Sequence, residues 1–247
     1  MGDMETERSR PSLAGARLRI SRAFEHANQM VGLLDERTNA SGTIWIRVVA
    51  EEFKTRRALD VEVDWSEWSA PPSGLLSLLA SEALFNARDA LDYLVYELAW
   101  LDSGTLQKGT QFPIIDDAND WPAEAARRLR GVNDEHRDAI SEYQPFAGCE
   151  WTRSLRELSN ADKHRLLVSA VPQLQYQFHL PSLPFGPDPD DPSKLRAPAE
   201  SPMVNVVFPS NEPAIDTLHE IAVGAAKMIE RFQVDFGEHF RLRFKEF

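Results

Sequence analysis

The sequence predicts an α+β fold dominated by helix, a helical bundle carrying two strand pairs that could join as one small antiparallel sheet. Three observations predict it. Leu75 to Leu101 runs without proline or internal glycine and repeats its apolar residues at steps of three and four, the period of a long helix. Ile44 to Val49, Val61 to Trp65 and Leu174 to Leu180 change to a period of two, the period of half-buried strands. The order helix, then two strands, appears twice along the chain, which places helices and strands in one mixed architecture.

Taken in order, residues 1–12 read as a flexible N-terminus and residues 13–247 as a single domain. Leu13 to about Asp35 forms an amphipathic helix with Ile20, Phe24, Ala27, Val31 and Leu34 on its packing face. Ile44, Ile46 and Val48 alternate with Trp45, Arg47 and Val49, and Val61, Val63 and Trp65 alternate with Glu62 and Asp64, giving two strands that pair. Trp65, Trp68, Pro71 and Pro72 make a stiff aromatic connection into the long helix, which starts near Ser73 and Gly74. On that helix Leu84, Ala87, Leu91, Leu94, Leu98 and Leu101 form one stripe, and Phe85, Arg88, Asp92, Val95 and Ala99 form a second beside it. Two largely apolar stripes imply a helix covered on more than one side, hence central in the bundle.

A loop with Gly104, Gly109 and Phe112-Pro113 follows, then short helices at about Ala123 to Leu129 and Asp134 to Tyr143. Another helix begins near Trp151 and ends where Leu166 to Val171 turns β-branched before Pro172. Leu174, Tyr176, Phe178 and Leu180 form a strand, and the prolines from Pro181 to Pro202 mark a mobile, irregular loop inserted at 181–202 within a hairpin. Met203 to Phe208 returns as a strand, and about Pro213 to Val234 forms the last helix. Phe240, Leu242 and Phe244 alternate with Arg241, Arg243 and Lys245 as a tail strand would.

Composition narrows the function classes. The 247 residues are 43% hydrophobic, enough for a sizeable core. One cysteine, Cys149, excludes an intramolecular disulfide and fits a reducing compartment. No apolar run approaches the roughly 20 residues that span a bilayer, and Met1 to Arg10 lacks a signal-peptide core, so the expectation is a cytoplasmic protein with no membrane contact. The net charge of −12, from 27 basic and 39 acidic side chains, opposes broad attraction to phosphate backbones. RNA binding would need a local basic patch, for which Arg127, Arg128 and Arg130, or Lys163 with Arg165, or the C-terminal run, are the candidates.

Polar residues fall where helical periodicity demands core. Trp151, Leu155, Leu158, Asp162 and Leu166 form a stripe with a carboxylate inside it, facing the segment that holds Arg88 and Asp92. A guanidinium with five donors can satisfy two carboxylates, so Arg88 is expected between Asp92 and Asp162, with Asn86 and Asn160 nearby, as a structural polar clasp.

Three blocks carry a resemblance: Leu84-Phe85-Asn86-Ala87-Arg88-Asp89-Ala90-Leu91-Asp92-Tyr93-Leu94-Val95, Thr110-Gln111-Phe112-Pro113-Ile114, and Leu158-Ser159-Asn160-Ala161-Asp162-Lys163-His164-Arg165. Over roughly residues 75 to 170 the chain resembles a bacterial family of uncharacterised helical proteins in which these blocks recur in this order, usually with His in place of Tyr93. With that His, the first block is similar to the Arg, four residues, His signature of HEPN domains. Those are helical bundles that include RNases of toxin and phage-defence systems, where Arg and His of two subunits face a shared cleft and cleave RNA without metal. The resemblance implies a homodimer and RNA as substrate, and carries over Arg88 alone. Tyr93, with an ordinary pKa of about 10, cannot act as a general base near neutral pH.

His164 supplies an alternative catalyst, because Lys163 and Arg165 beside it could hold a phosphate, with Asn160, while His164 moves a proton. Set against this, cations near a helix end are already favoured by the helix dipole. The other histidines lack metal-ligand spacing, Asp134, Glu135 and His136 read as a surface cluster, and no Gly-rich phosphate loop or nucleophile elbow is present, so no cofactor and no metal are expected. Two functions remain. One is a noncatalytic or degenerate HEPN-like protein that binds a protein partner or a second copy, favoured by the core placement of the polar residues. The other is a metal-independent RNase, or an RNA- or nucleotide-binding protein, favoured by the resemblance.

Overall fold

The computed structural model describes residues 10–40, 44–55, 61–64, 71–163, 167–175, 183–199 and 203–240; within these, 37–40, 55, 161–163, 174, 175, 199 and 203 are described by their backbone. The architecture is mainly helical α+β, with two small antiparallel sheets. At its centre stands α3 (Ser73–Ser103), packed against α1 (Ala14–Ala40), α7 (Ala214–Phe232) and α6 (Glu150–Lys163). Pro72 precedes α3 in an extended conformation and its carbonyl accepts from the Leu75 and Leu76 amides. Gly104, at φ +69°, ends the helix and donates its N–H to the Trp100 carbonyl, a left-handed turn that a residue with a Cβ would enter at a cost.

The expected first stripe of α3 is the core: Leu84, Leu91, Leu94 and Leu98 are sealed from solvent, each contributing about 1.5–3 kcal/mol by burial. The second stripe divides. Val95 and Ala99 are fully buried, whereas Phe85 is 56% exposed because no described element covers that side of α3's first half. Small residues set the spacing of the helices: Ala16, Ala23 and Ala27 on α1 and Ala80, Ala83, Ala87 and Ala90 on α3 are all buried. At Gly224 of α7 a Cβ would stand 2.5 Å from the Trp151 ring, so this close approach requires glycine.

Two buried serines on α3 have a packing reason that the stripe pattern does not disclose. Ser81 Oγ accepts from the Val168 amide at 2.9 Å and Ser77 Oγ from the Ala170 amide at 3.0 Å, so they anchor the extended segment leading into β3 (Val171–Gln175). β3 pairs antiparallel with β6 (Met203–Val207), from Val171 opposite Val207 to Gln175 opposite Met203. The remainder of the expected strand, Tyr176 to Leu180, lies outside the described residues.

The second sheet corrects one expectation and decides an open one. β1 (Ile44–Val49) and β2 (Val61–Asp64) pair as expected; among the described residues they do not join β3 and β6, the single sheet that the sequence allowed, and their sheet has the order β2-β1-β5-β4. The added strands β4 (Gly186–Pro187) and β5 (Lys194–Ala199) come from the proline-rich excursion, read from sequence as irregular. Tertiary pairing overrides local composition here, since β5 matches β1 residue for residue from Ile44 opposite Ala199 to Val49 opposite Lys194. β4 reaches only Leu195 and Arg196, leaving Pro198 with a neighbour on β1 alone, an edge setting that tolerates its missing N–H. Between β1 and β2 runs a short helix, α2 (Ala50–Thr55), which periodicity did not reveal.

Two further short helices, α4 (Trp121–Arg128) and α5 (Asp134–Ser141), stand where the sequence places them, and Asn133 caps α5 by accepting from the His136 amide at 2.8 Å. No helix among the described residues is long and apolar enough to cross a membrane. Of the expected tail strand, Phe240 is described, with the Arg17 guanidinium 4.0 Å from its ring centre; residues 241–247 lie outside the described range.

Candidate functional site

The loop between α3 and α4 buries Phe112, Ile114 and Ile115, and buried backbone must find hydrogen-bond partners. Residues from several elements provide them. Arg88 Nη2 donates to the Phe112 carbonyl at 2.5 Å, and Asp92 Oδ1 accepts from the Phe112 amide at 2.7 Å. Spaced four apart on α3, the two side chains thus grip both polar groups of one residue, with 3.7 Å between Arg88 Nη2 and Asp92 Oδ1. Gln144 Oε1 accepts from the Ile115 amide at 3.0 Å, Gln111 donates its amide to the Arg128 carbonyl, and Arg156 pairs with Asp116. The second and first sequence blocks are therefore stitched to each other.

This stitching brings three arginines to the lining of one pocket. Arg88 of α3, Arg128 of α4 and Arg156 of α6 line a pocket of about 160 Å³ with Ile114, Ser159 and Asn160. No carboxylate stands among these described lining residues; the acids that balance the arginines lie elsewhere, Glu124 on Arg128 Nε at 2.6 Å and Asp116 on Arg156. Burial pulls the Arg88 pKa below its ordinary value, the neighbouring Asp92 opposes the fall, and repulsion from Arg128 adds to it. Arg88 Nε and Ser159 Oγ are both buried with no hydrogen-bond partner among the described residues. A second cleft of about 330 Å³ shares Arg88 and Ser159 and is otherwise lined by Leu84, Phe85, Gln111 and the carboxylates Asp89 and Asp92.

Of the residues singled out by sequence, the structure brings Arg88 and Asp92 together and sets Asn160 in the same pocket as Arg88. Asn86 stands apart, its amide donating to the Glu82 carbonyl at 2.8 Å and its oxygen accepting from Arg19 Nη1 at 3.4 Å, at the contact with α1. Asp162 and Lys163 lie on the last turn of α6, but their side chains are outside the described residues, as are His164 and Arg165 entirely; the proposed reach of Arg88 to Asp162 falls there too. Tyr93 points to α1, where its ring would stand 2.8 Å from a Cβ at position 15 and lies 5.8 Å from the Arg19 guanidinium. Arg128 was visible in the sequence only as part of a candidate basic patch with Arg127 and Arg130. Arg156 was missed, although its place one helical turn before Asn160 is the signal that could have found it.

His136 also differs from expectation. It is 8% exposed rather than a surface residue, with Nδ1 2.9 Å from Asp102 Oδ2 and Nε2 3.7 Å from Asp235 Oδ2, and it ties α5 to the end of α3. No group of three or more His, Cys, Asp or Glu among the described residues could hold a metal ion.

Compared with family models, with curated proteins and with solved structures, the chain matches none.

Proposed function

We propose that this chain is a noncatalytic, HEPN-like helical protein that binds a protein partner or a second copy of itself. The observation that carries the reading is the grip on Phe112: Arg88 and Asp92 are both engaged in holding the loop's backbone, the work of a structural clasp. Supporting it, position 93 is a tyrosine packed toward α1, so the residue that would complete an Arg-His pair is not a histidine and is not among the residues lining the Arg88 pocket. Leu75, Leu78 and Phe85 are exposed at helical spacing on one face of α3, the kind of surface a protein partner covers. The net charge of −12 works against RNA. Cytoplasmic location belongs to the same reading.

The test is incubation of purified protein with structured and single-stranded RNA in the absence of metal, beside Arg88→Ala and His164→Ala. Intact RNA throughout, with a lowered melting temperature for Arg88→Ala, agrees with the clasp; cleavage by wild type that either substitution abolishes refutes it. The second reading, a metal-independent RNase or RNA- or nucleotide-binding protein of toxin or phage-defence type using Arg88, His164, Lys163, Arg165 and Asn160, draws on one observation, the convergence of Arg88 and Asn160 in a cationic pocket.

A further inference from the structure

We propose that the pocket between α3, α4 and α6 binds the phosphoryl group of a small phosphomonoester, whose organic body lies in the adjoining cleft beside Phe85. The inference goes beyond a noncatalytic role and needs no chemistry. It rests on the balance of charge and donors in the pocket. Arg88, Arg128 and Arg156 line it with no carboxylate among the described lining residues, their acids Asp92, Glu124 and Asp116 standing outside that lining, and the repulsion left between the like charges is a cost that an anion between them removes. The repulsion of Arg88 by Arg128 is one sign of that cost. Two buried polar atoms of lining residues, Arg88 Nε and Ser159 Oγ, have no hydrogen-bond partner among the described residues.

Shape and number select the ligand class. Ligand pockets for drug-sized molecules run to roughly 300–1,000 Å³, so about 160 Å³ suits one anionic head rather than a whole nucleotide. A carboxylate is planar and is satisfied by one guanidinium fork. Guanidiniums carried by three separate helices instead suit a tetrahedral group that offers several oxygens in different directions, as a phosphate ester does. The contiguous cleft of about 330 Å³ shares Arg88 and Ser159 and has Leu84 and Phe85 in its wall together with Asp89 and Asp92, space for an uncharged, largely apolar substituent, since a second anionic group would meet those carboxylates.

Isothermal titration calorimetry of the full chain at low salt tests this with phenyl phosphate and with benzoate, an anion of similar body. The expected result is saturable binding of phenyl phosphate, tighter than benzoate and tightening as pH rises through about 6, where the ester becomes a dianion. Arg128→Gln and Arg156→Gln, at half-buried positions the fold tolerates, each weaken binding about tenfold or more. Ser159→Ala weakens it severalfold with little change in melting temperature, since the hydroxyl has no hydrogen-bond partner among the described residues. Arg130→Gln, exposed and outside the pocket, leaves it unchanged. Absence of saturable phenyl phosphate binding overturns the proposal, as does benzoate binding equally well, or an affinity indifferent to Arg128→Gln, Arg156→Gln and Ser159→Ala.

Discussion

Arg47 on β1 and Arg88 on α3 are both half-sheltered arginines with carboxylates at hand, yet they end in different states. Arg47 is held by two acids at 2.6 Å each, Asp64 on Nη1 and Asp188 on Nε. Its pKa rises, chiefly through the hydrogen bond to Asp188, against an opposing desolvation. Arg88 has one described carboxylate, at 3.7 Å, spends its closest bond on a neutral carbonyl, has no partner for Nε among the described residues, and its pKa falls through burial. The guanidinium set between two acids that the sequence suggested for Arg88 is found, among the described residues, at Arg47. A saturated arginine locks a sheet together; an unsaturated one, joined by Arg128 and Arg156, retains capacity for a ligand.

Breaking the Arg88 centre has the largest effect. Asp92→Ala leaves the Phe112 amide without its acceptor in a sealed position and should cost about 1–3 kcal/mol in chemical denaturation. Arg88→Ala should cost a similar amount by freeing the Phe112 carbonyl. Because both side chains hold the backbone of one residue, the double variant should lose less than the sum, and strict additivity would show that they do not act together.

The Arg47 centre should break more locally. Arg47→Gln is expected to speed hydrogen exchange along β1 and β5, where Arg47 stands opposite Arg196, while α3 amides keep their protection; equal acceleration in both would contradict the separation. Acid sharpens the same contrast. The Asp188 carboxyl is held below its ordinary pKa, first by the Asp190 amide and then by Arg47. Its folded form therefore binds a proton less readily than the unfolded chain does, so its stabilisation is complete above about pH 4 and is lost as pH falls through the lower folded value. Exchange in the four-stranded sheet should rise in that window, and Asp188→Asn should flatten the rise. The smallest effect on stability belongs to Arg128→Gln, a half-exposed position bridged to Glu124, expected within about 0.5 kcal/mol by thermal denaturation.

Much of the helical frame was legible because burial along a helix repeats at a period the residues display: α1, α3, α4, α5, α6 and α7 start and stop within a few residues of where caps, prolines and stripes place them. β5 was not, because its pairing with β1 is a long-range fact and Pro198 argues locally against a strand. Phe85 looked internal by spacing, yet period says which residues share a face and not whether anything covers it. At the site, Arg88 and Asp92 announced themselves as charges in an apolar stripe. Their actual partner, the Phe112 backbone, is a main-chain group that no side-chain pattern records. Arg156 reads locally as a surface helix residue and acquires meaning only when α6 is laid beside α3 and α4.

Calorimetric affinity for phenyl phosphate, measured on Arg47→Gln and Arg128→Gln side by side, tests most directly whether one arginine centre is saturated and the other open. Unchanged affinity in the first and a loss of about tenfold in the second are the predicted results. Equal affinities in the two variants would contradict the account.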